Sequence, residues 1–583
     1  MIYHPVFFDM YIYIYQKMDI NLNYKKKYLK YKKKYFNELK QVGSGTGCYL
    51  RNVFGNRTDL PIELENYLLE KMDDKNLIQL INDCGFFDPS PLPKKLKNNY
   101  TFSQILLNRT FTNPDINPPN WRLIDVFNEF QIEDYDDSQI FDMSDEELQK
   151  IQNLSLLGID DYVINDRYND LVNLKKLTLD LCYAGLENGL NNLINLKELR
   201  LPSYIDSLGN SLQNLVNLEI LILSSYDKPL NNSLDNLRNL KILDLNMYNQ
   251  PLNDSLNNLI NLEELYLSVY SQPFGNSLEK LVKLKFLELG EDGTNPLDDA
   301  LINKTKLEIL TLHNYNVPLN NSLINLVNLK ELNLYNFDQE LDNSLDNLLN
   351  LEYLNMPAFN QYFGNSLMKL NKLKSLELDF YSNNLHRVFD NLINLKYLKI
   401  QPDRMLEDSL DKLINLEELD LINYRRYIDK SFKNLTKLKK LYLNEFAVFN
   451  FKSLDTLVNL EELTIETPED DFHSHLILDC LKNLTNLKML KLSCNIERTL
   501  DKEFDNLVNL KILHLPFYNN NLNDSLKNLT NLEELYLDIY ELPLENMKYL
   551  TKLKKIKLGI NYIKQYGMID VTVLPPNLIK IEI

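Results

Sequence analysis

At 583 residues, the chain is far longer than one ordinary globular domain. Its apolar share of 44% is enough for a large core, and its net charge of −19 argues against a duplex-DNA binder, which needs a basic face. Five cysteines without a C-x-x-C pair read as reduced thiols of a cytosol-like compartment rather than a disulfide framework, which makes the expected location cytoplasmic.

Residues 1–17 are aromatic and apolar, but Asp9 interrupts them and they are too short to span a bilayer, so no stable membrane insertion is expected. Residues 1–45 form a basic N-terminal segment. Within it, helical spacing would gather Tyr28, Leu29, Tyr31, Tyr35, Phe36 and Leu39 on one side of a lysine-rich stretch. Such a helix either docks on a neighbour or touches an acidic lipid surface or RNA. The acidity of the rest of the chain favours docking, and no nucleic-acid partner is expected. The run Lys27-Tyr28-Leu29-Lys30-Tyr31 to Tyr35, followed by Gly43 and Gly45, resembles an N-terminal motif of giant DNA viruses of amoebae. That resemblance implies an origin, and a host cytoplasm as the location, but no chemistry.

Residues 46–147 read as a helical and irregular cap. Apolar spacing at Leu64, Tyr67, Leu68 and Met72, then at Leu77, Leu80 and Ile81, predicts two short helices parted by Asp73-Asp74. Over 59–82 this stretch resembles the first half of an F-box, through Leu60-Pro61, Glu63-Leu64, Leu68-Leu69, Met72-Asp73 and Asn76-Leu77. The resemblance implies that Leu60, Pro61, Leu64, Leu68, Leu69, Met72 and Leu77 grip a Skp1-type adaptor of a ubiquitin ligase. The second half departs from the pattern, because Gly85-Phe86-Phe87-Asp88-Pro89 follows Cys84 where the family carries V-C-x-x-W. The plainer reading is a helical cap over the first repeat. Prolines then make 89–147 irregular, Trp121 reads as core, and the acidic run Asp134 to Glu147 reads as a joint.

From 148 to 583 the chain repeats one phrase in about twenty units. Residues 240–255, LKILDLNMYNQPLNDS, show it, and the template is L-x-x-L-x-L-x-x-Y-x-x-P-L-x-x-S-L-x-N-L-x-N. First leucines fall at Leu196, Leu218, Leu240, Leu262 and Leu284, most often 22 residues apart. The spacing resembles that of a leucine-rich-repeat solenoid, and the Tyr-Asn-Gln-Pro-Leu run at 248–252 resembles the phrase of FNIP repeats. The expected fold is α/β. Short parallel strands would line the concave side, each L-x-L burying its leucines and exposing the residue between, and short helical or 3-10 turns after each proline would form the convex side. One unit cannot bury its apolar face alone, so stacking supplies the core.

Three further positions recur. The residue after each first leucine is Lys or Glu, as at Lys175, Glu219 and Lys241, which suits a solvated strand entry. The residue three after the last leucine is usually aromatic, from Tyr204, Tyr226, Tyr248 and Tyr270 to Phe446, Tyr518 and Tyr540. An aromatic at one fixed place per turn reads as core filler in preference to a ligand groove. The residue between the strand leucines varies instead: Arg200, Ile222, Asp244, Tyr266, Glu288, Asn333, Asn355, Glu377, Lys399, Asp420 and Tyr442. A constant frame under a changing surface is what protein recognition needs, and Tyr266 and Tyr442 are the candidate anchors. Neutral drift on a solvated face is the alternative.

No phosphate-binding loop, zinc-protease, nucleophile-elbow or kinase signature is present, so no catalytic residue or cofactor is assigned. His473-x-His475, in the insertion running from Glu466, lacks a third ligand, so no metal site is assigned either. The reading is a non-catalytic recognition scaffold, either an F-box-type substrate adaptor or a stand-alone scaffold. An enzyme within 85–147 is the remaining alternative.

Overall fold

A computed structural model describes residues 110–112, 120–122 and 144–582, the last apart from 158–165, 181–184, 291–296, 425, 427–431, 445–453, 455, 467–477, 479–480, 495, 497–498, 501, 523, 545–546, 560–561 and 563–572. The F-box-like stretch, the basic N-terminal segment, Phe446 and the His473-x-His475 pair lie outside the described residues. The chain divides into two compact units, Met1–Asp206 and Ser207–Ile583.

In the first unit, β1 (Thr110–Thr112) pairs antiparallel with β2 (Asn120–Arg122), placing Phe111 opposite Trp121 in register. The one α-helix of regular definition among the described residues there, α1 (Asp145–Leu148), is a single turn. Three parallel strands follow: β3 (Asn153–Leu157), β4 (Lys176–Asp180) and β5 (Glu198–Arg200). Leu154, Leu177 and Leu199 stand side by side in them.

The second unit carries seventeen strands among its described residues, from β6 (Ile220–Ile222) to β22 (Lys580–Glu582). Consecutive strands pair parallel, as in Leu243↔Leu265↔Leu287, and the register shifts between Leu378 and Tyr381 where β13 (Ser375–Tyr381) meets β14 (Tyr397–Pro402). The offset between partners such as Leu243 and Leu265 is the repeat length itself. Strand leucines such as Leu243, Leu245, Leu265 and Leu267 are fully buried, while the residues between them are half-buried. Period-two geometry explains both facts. The second unit is a parallel β-solenoid with a repeat of about 22 residues.

Among the described residues the far side of the coils is mainly linked turns and short 3-10 segments, which narrows the expectation of short helical or 3-10 turns and corrects that of an α/β fold. In the repeat after β7 (Ile242–Asp244), the bonds Ser255 N–H to Leu252 O, Asn257 N–H to Asp254 O, Leu259 N–H to Leu256 O and Leu262 N–H to Leu259 O each span three residues, at 3.0 Å. Linked turns replace helices, and 3-10 segments are short, such as Asp298–Leu301 and Leu481–Asn483. The cause is local. The residue two after the proline position turns left-handed in coil after coil: Asn231 (φ 46°), Asn253 (45°) and Asn320 (46°) after Pro-Leu, Gly275 (47°) after Pro-Phe and Asp342 (44°) after Glu-Leu. Gly, Asn and Asp tolerate that conformation best, and it stops a right-handed helix from starting. Leucines then arrive three apart, at 256, 259 and 262, and every one is buried. A spacing of three matches turns that bond three residues on.

The recurrent aromatics are core, as expected. Tyr204, Tyr226, Tyr248, Phe337, Phe359 and Tyr518 are at most 1% exposed. Neighbours stack, Tyr226 on Tyr248 with ring centres 6.2 Å apart and Phe337 on Phe359 at 6.3 Å. The tyrosine hydroxyl adds a role that its position alone does not reveal. It accepts the backbone N–H of a leucine eighteen residues earlier: Leu208 to Tyr226 at 3.1 Å, Leu230 to Tyr248 at 3.2 Å, Leu252 to Tyr270 at 3.2 Å and Leu406 to Tyr424 at 3.3 Å. A buried donor in one coil is thus satisfied by the next. Burial pushes the Tyr248 hydroxyl up to about 12, against the smaller downward effect of the Leu230 N–H.

Candidate functional site

Two ladders run along the coil edge where the chain enters each strand. In one, the residue after each first leucine is Lys or Glu, and where the sign changes the lysine meets the glutamate of the neighbouring coil: Lys241–Glu219 at 2.5 Å, Lys285–Glu263 at 2.6 Å and Lys330–Glu308 at 2.5 Å. Glu417 lies between Lys439 (2.7 Å) and Lys396 (2.9 Å), whose hydrogen bonds bring its carboxyl down to about 2. In the other, the closing Asn of the phrase donates to a backbone carbonyl one coil back, as Asn239 does to Val216, Asn350 to Val327 and Asn531 to Val508, at 2.7–2.9 Å. Lysine replaces Asn in some coils and reaches the preceding Asn side chain, as Lys372 does with Asn350 at 2.7 Å. A depression of about 700 Å³ runs along this edge past Glu417, Lys439, Glu461 and Lys488. Its lysines are already engaged, Lys439 by Glu417 and Lys488 by Glu461 at 2.7 Å, so the charge there serves the ladder.

The face predicted for recognition is the side of the sheet opposite the leucines. In the second unit the predicted residues fall on one ladder. Ile222, Asp244, Tyr266 and Glu288 are successive partners, and so are Asn333, Asn355, Glu377, Lys399, Asp420 and Tyr442. Thr311 joins the two runs. All but Thr311 are half-buried, Thr311 being 7% exposed. In the first unit Arg200 lies opposite Thr178 and binds Glu198 at 2.6 Å. Burial works against the Glu198 charge, but Arg200 and Lys176 outweigh it and hold the carboxyl below its ordinary range.

The sequence reading took one residue per coil, whereas the face is three residues deep. Positions two before and two after the varying residue point the same way. The signal was the same alternation, carried one step further in each direction. These flanking positions bind the predicted ones into clusters. Tyr266 donates its hydroxyl to Glu264 at 2.9 Å and packs on Phe286 with centres 4.7 Å apart. Burial, then Glu264, raises the Tyr266 hydroxyl far above its usual value. His313 sits 3.1 Å from Glu288 and stacks on Tyr335 at 4.9 Å. Asn333 donates to Thr311 at 3.2 Å and to Glu331 at 2.9 Å. Further on, Asp538 receives His514 at 2.8 Å and Lys557 at 2.7 Å, and Lys555 lies 4.8 Å over the Tyr536 ring.

Among the described residues, no group of three or more His, Cys, Asp or Glu is placed to hold a metal ion. No helix among them is long and apolar enough to cross a membrane.

No family model matches the chain, and no curated protein does. Solved structures do. An internalin (inlF) from Listeria monocytogenes is 21% identical, with a TM-score of 0.41, covering 55% of this chain and 88% of its own. TLR13 in complex with ssRNA13 is 22% identical, with a TM-score of 0.47, covering 70% and 72%. The leucine-rich-repeat protein LIC12759 of Leptospira interrogans is 20% identical, with a TM-score of 0.41, covering 75% and 97%. The second unit is a parallel β-solenoid with a repeat of about 22 residues, and LIC12759, one of the structures it is similar to, is described as a leucine-rich-repeat protein.

Proposed function

We propose that the chain is a non-catalytic scaffold that recognises a protein on the open face of its sheet and acts in the cytoplasm, that of an amoebal host if the N-terminal resemblance reflects its origin. One observation carries this reading. Leucines and aromatics buried at fixed positions hold a sheet whose opposite face varies along the array, from Tyr266 to Glu288 to Thr311 to Asn333. A rigid frame lowers the ordering cost of binding, and aromatic side chains supply most interface energy. Tyr266 is half-buried and fixed by Glu264 and Phe286, so it is already held as a bound anchor would be.

The test is affinity capture from amoeba lysate with the full chain, comparing wild type with Tyr266→Ala plus Tyr442→Ala. Any protein bound through this face drops at least ten-fold on the double variant, since two aromatic anchors together are worth about 2 kcal/mol or more. Equal recovery of every captured protein on both baits would end the reading.

The finer reading, an F-box-type substrate adaptor, is supported by the order Leu60-Pro61, Glu63-Leu64, Leu68-Leu69 and Met72-Asp73. It predicts that the full chain retains a Skp1-type adaptor and that Leu64→Asp abolishes this. Failure of the wild-type chain to retain the adaptor would reduce the function to a stand-alone scaffold.

A further inference from the structure

Three neighbouring strands of the recognition face carry a slot that the single row of varying residues does not reveal. They are β12 (Tyr353–Asn355), β13 (Ser375–Tyr381) and β14 (Tyr397–Pro402), and in their register Tyr353, Ser375 and Tyr397 stand in line. Two tyrosines flank one serine. With strands about 4.8 Å apart, the aromatic side chains start roughly 10 Å from each other over a small floor. A cationic group midway between them would lie about 5 Å from each, inside the reach of roughly 6 Å over which a cation is attracted to a ring face. Tyr353 is 46% exposed, and Tyr397 is half-buried.

The next row along the same strands closes the slot with charge. Glu377 follows Ser375 on its side of the sheet and is registered with Lys399, which in turn faces Asp420 on β15 (Glu418–Leu421). Across β13 to β15 the outward face holds four carboxylates, Glu377, Asp379, Glu418 and Asp420, against one lysine. Lys399 lies 3.4 Å from Asp379, and Lys440 lies closer to Glu462 (3.4 Å) than to Glu418 (3.9 Å). Burial raises the carboxyls of Glu377 and Asp420 above their ordinary values, against the downward pull of Lys399 on both and of the Ile422 N–H on Asp420, and Asp379 adds a smaller upward push to each. The surface is short of positive charge and offers it a stacking site.

We infer that this slot takes an arginine side chain from an extended segment of the partner protein, its guanidinium lying between Tyr353 and Tyr397 and donating to Glu377. The inference rests on the protein-recognition reading above and names the chemistry of the partner. Arginine fits better than lysine on two counts. Its planar head stacks on aromatic faces, and its forked N–H groups can serve two carboxylate oxygens at once. An ammonium is a strongly hydrated point that gains little from parallel walls.

The full chain is panned against a displayed library of random twelve-residue peptides, and recovered peptides are resynthesised with a fluorophore. Arginine is expected to be enriched among the peptides, and replacing the key arginine by neutral citrulline should weaken binding at least ten-fold, with lysine intermediate. Glu377→Gln and Tyr397→Ala should each cause a similar loss; both positions are on the half-buried face, and unchanged thermal unfolding confirms that each variant folds. Peptides that are displaced by Tyr266→Ala plus Tyr442→Ala but show no arginine enrichment overturn the slot and leave the recognition reading standing. Peptides indifferent to every face variant, or no peptides at all, overturn both.

Discussion

Lys304 occupies a place that belongs to leucine. In the coils on either side the same position is Leu281 and Leu326, both fully buried, and Lys304 is itself only 1% exposed. Its ammonium has no hydrogen-bond partner. Burial brings its pKa down to about 8 from 10.5, and the attraction of Glu279 restores little of that. Because the folded value lies below the unfolded one, the native state is penalised whenever both forms are charged. The penalty is full below about pH 8 and fades as pH rises toward 10.5. Lys304→Leu should therefore stabilise the protein by about 3 kcal/mol at pH 7, at roughly 1.4 kcal/mol per pH unit of displacement. Urea denaturation of both proteins at pH 7 and pH 10 checks this; the gap should narrow at the higher pH. A constant gap would mean that the amine reaches water after all. At the same scale, Tyr248→Phe keeps the ring but leaves the buried Leu230 N–H without its acceptor, at a cost of about 1 kcal/mol. A melting temperature unchanged by that substitution would count against the hydroxyl as a structural element. Phe337 and Phe359 hold the equivalent place without a hydroxyl, so stacking alone suffices in some coils.

The element that repeats is a coil of strand, aromatic corner and linked turns. Its parts are satisfied by the next coil more than by each other. Backbone bonds between strands, the tyrosine acceptors, the asparagine donors and the lysine–glutamate pairs all cross from one coil to its neighbour. The ion pairs are exposed and contribute little each, about 0–1 kcal/mol. Of the short helical or 3-10 turns expected on the far side, the described residues show mainly linked turns and short 3-10 segments. Proline, serine and leucine spacing suggested a helical start, but a left-handed residue between the proline and the serine, as at Asn253, redirects the chain into turns. The asparagines of the N-L-x-N phrase were legible as a pattern and silent as to role. Nothing in a one-dimensional string says that an amide will meet a carbonyl 23 residues earlier, as Asn350 meets Val327.

For the molecule as a whole, coupling between nearest neighbours means that stability is spread along the array and damage stays local. Leu332→Ala in β11 (Glu331–Tyr335) removes a fully buried side chain that stands between Leu310 and Leu354. It should cost about 2–5 kcal/mol. Amide hydrogen exchange should quicken in β11 and its partners β10 (Ile309–His313) and β12, while β20 (Glu534–Leu537) keeps its protection. Loss of protection in β20 would show that the solenoid opens as one unit.

The sequence alone determined the repeat length, the parallel stacking, the buried leucines and aromatics, and which residue of each L-x-L faces outward. These follow from periodicity, which is a one-dimensional property. Tertiary structure alone decided what the coils exchange: which hydroxyl serves which amide, which lysine meets which glutamate, and which tyrosines flank which serine. Those partners are eighteen to twenty-five residues apart in sequence, and only the lateral stacking of one coil on the next brings them within hydrogen-bond reach.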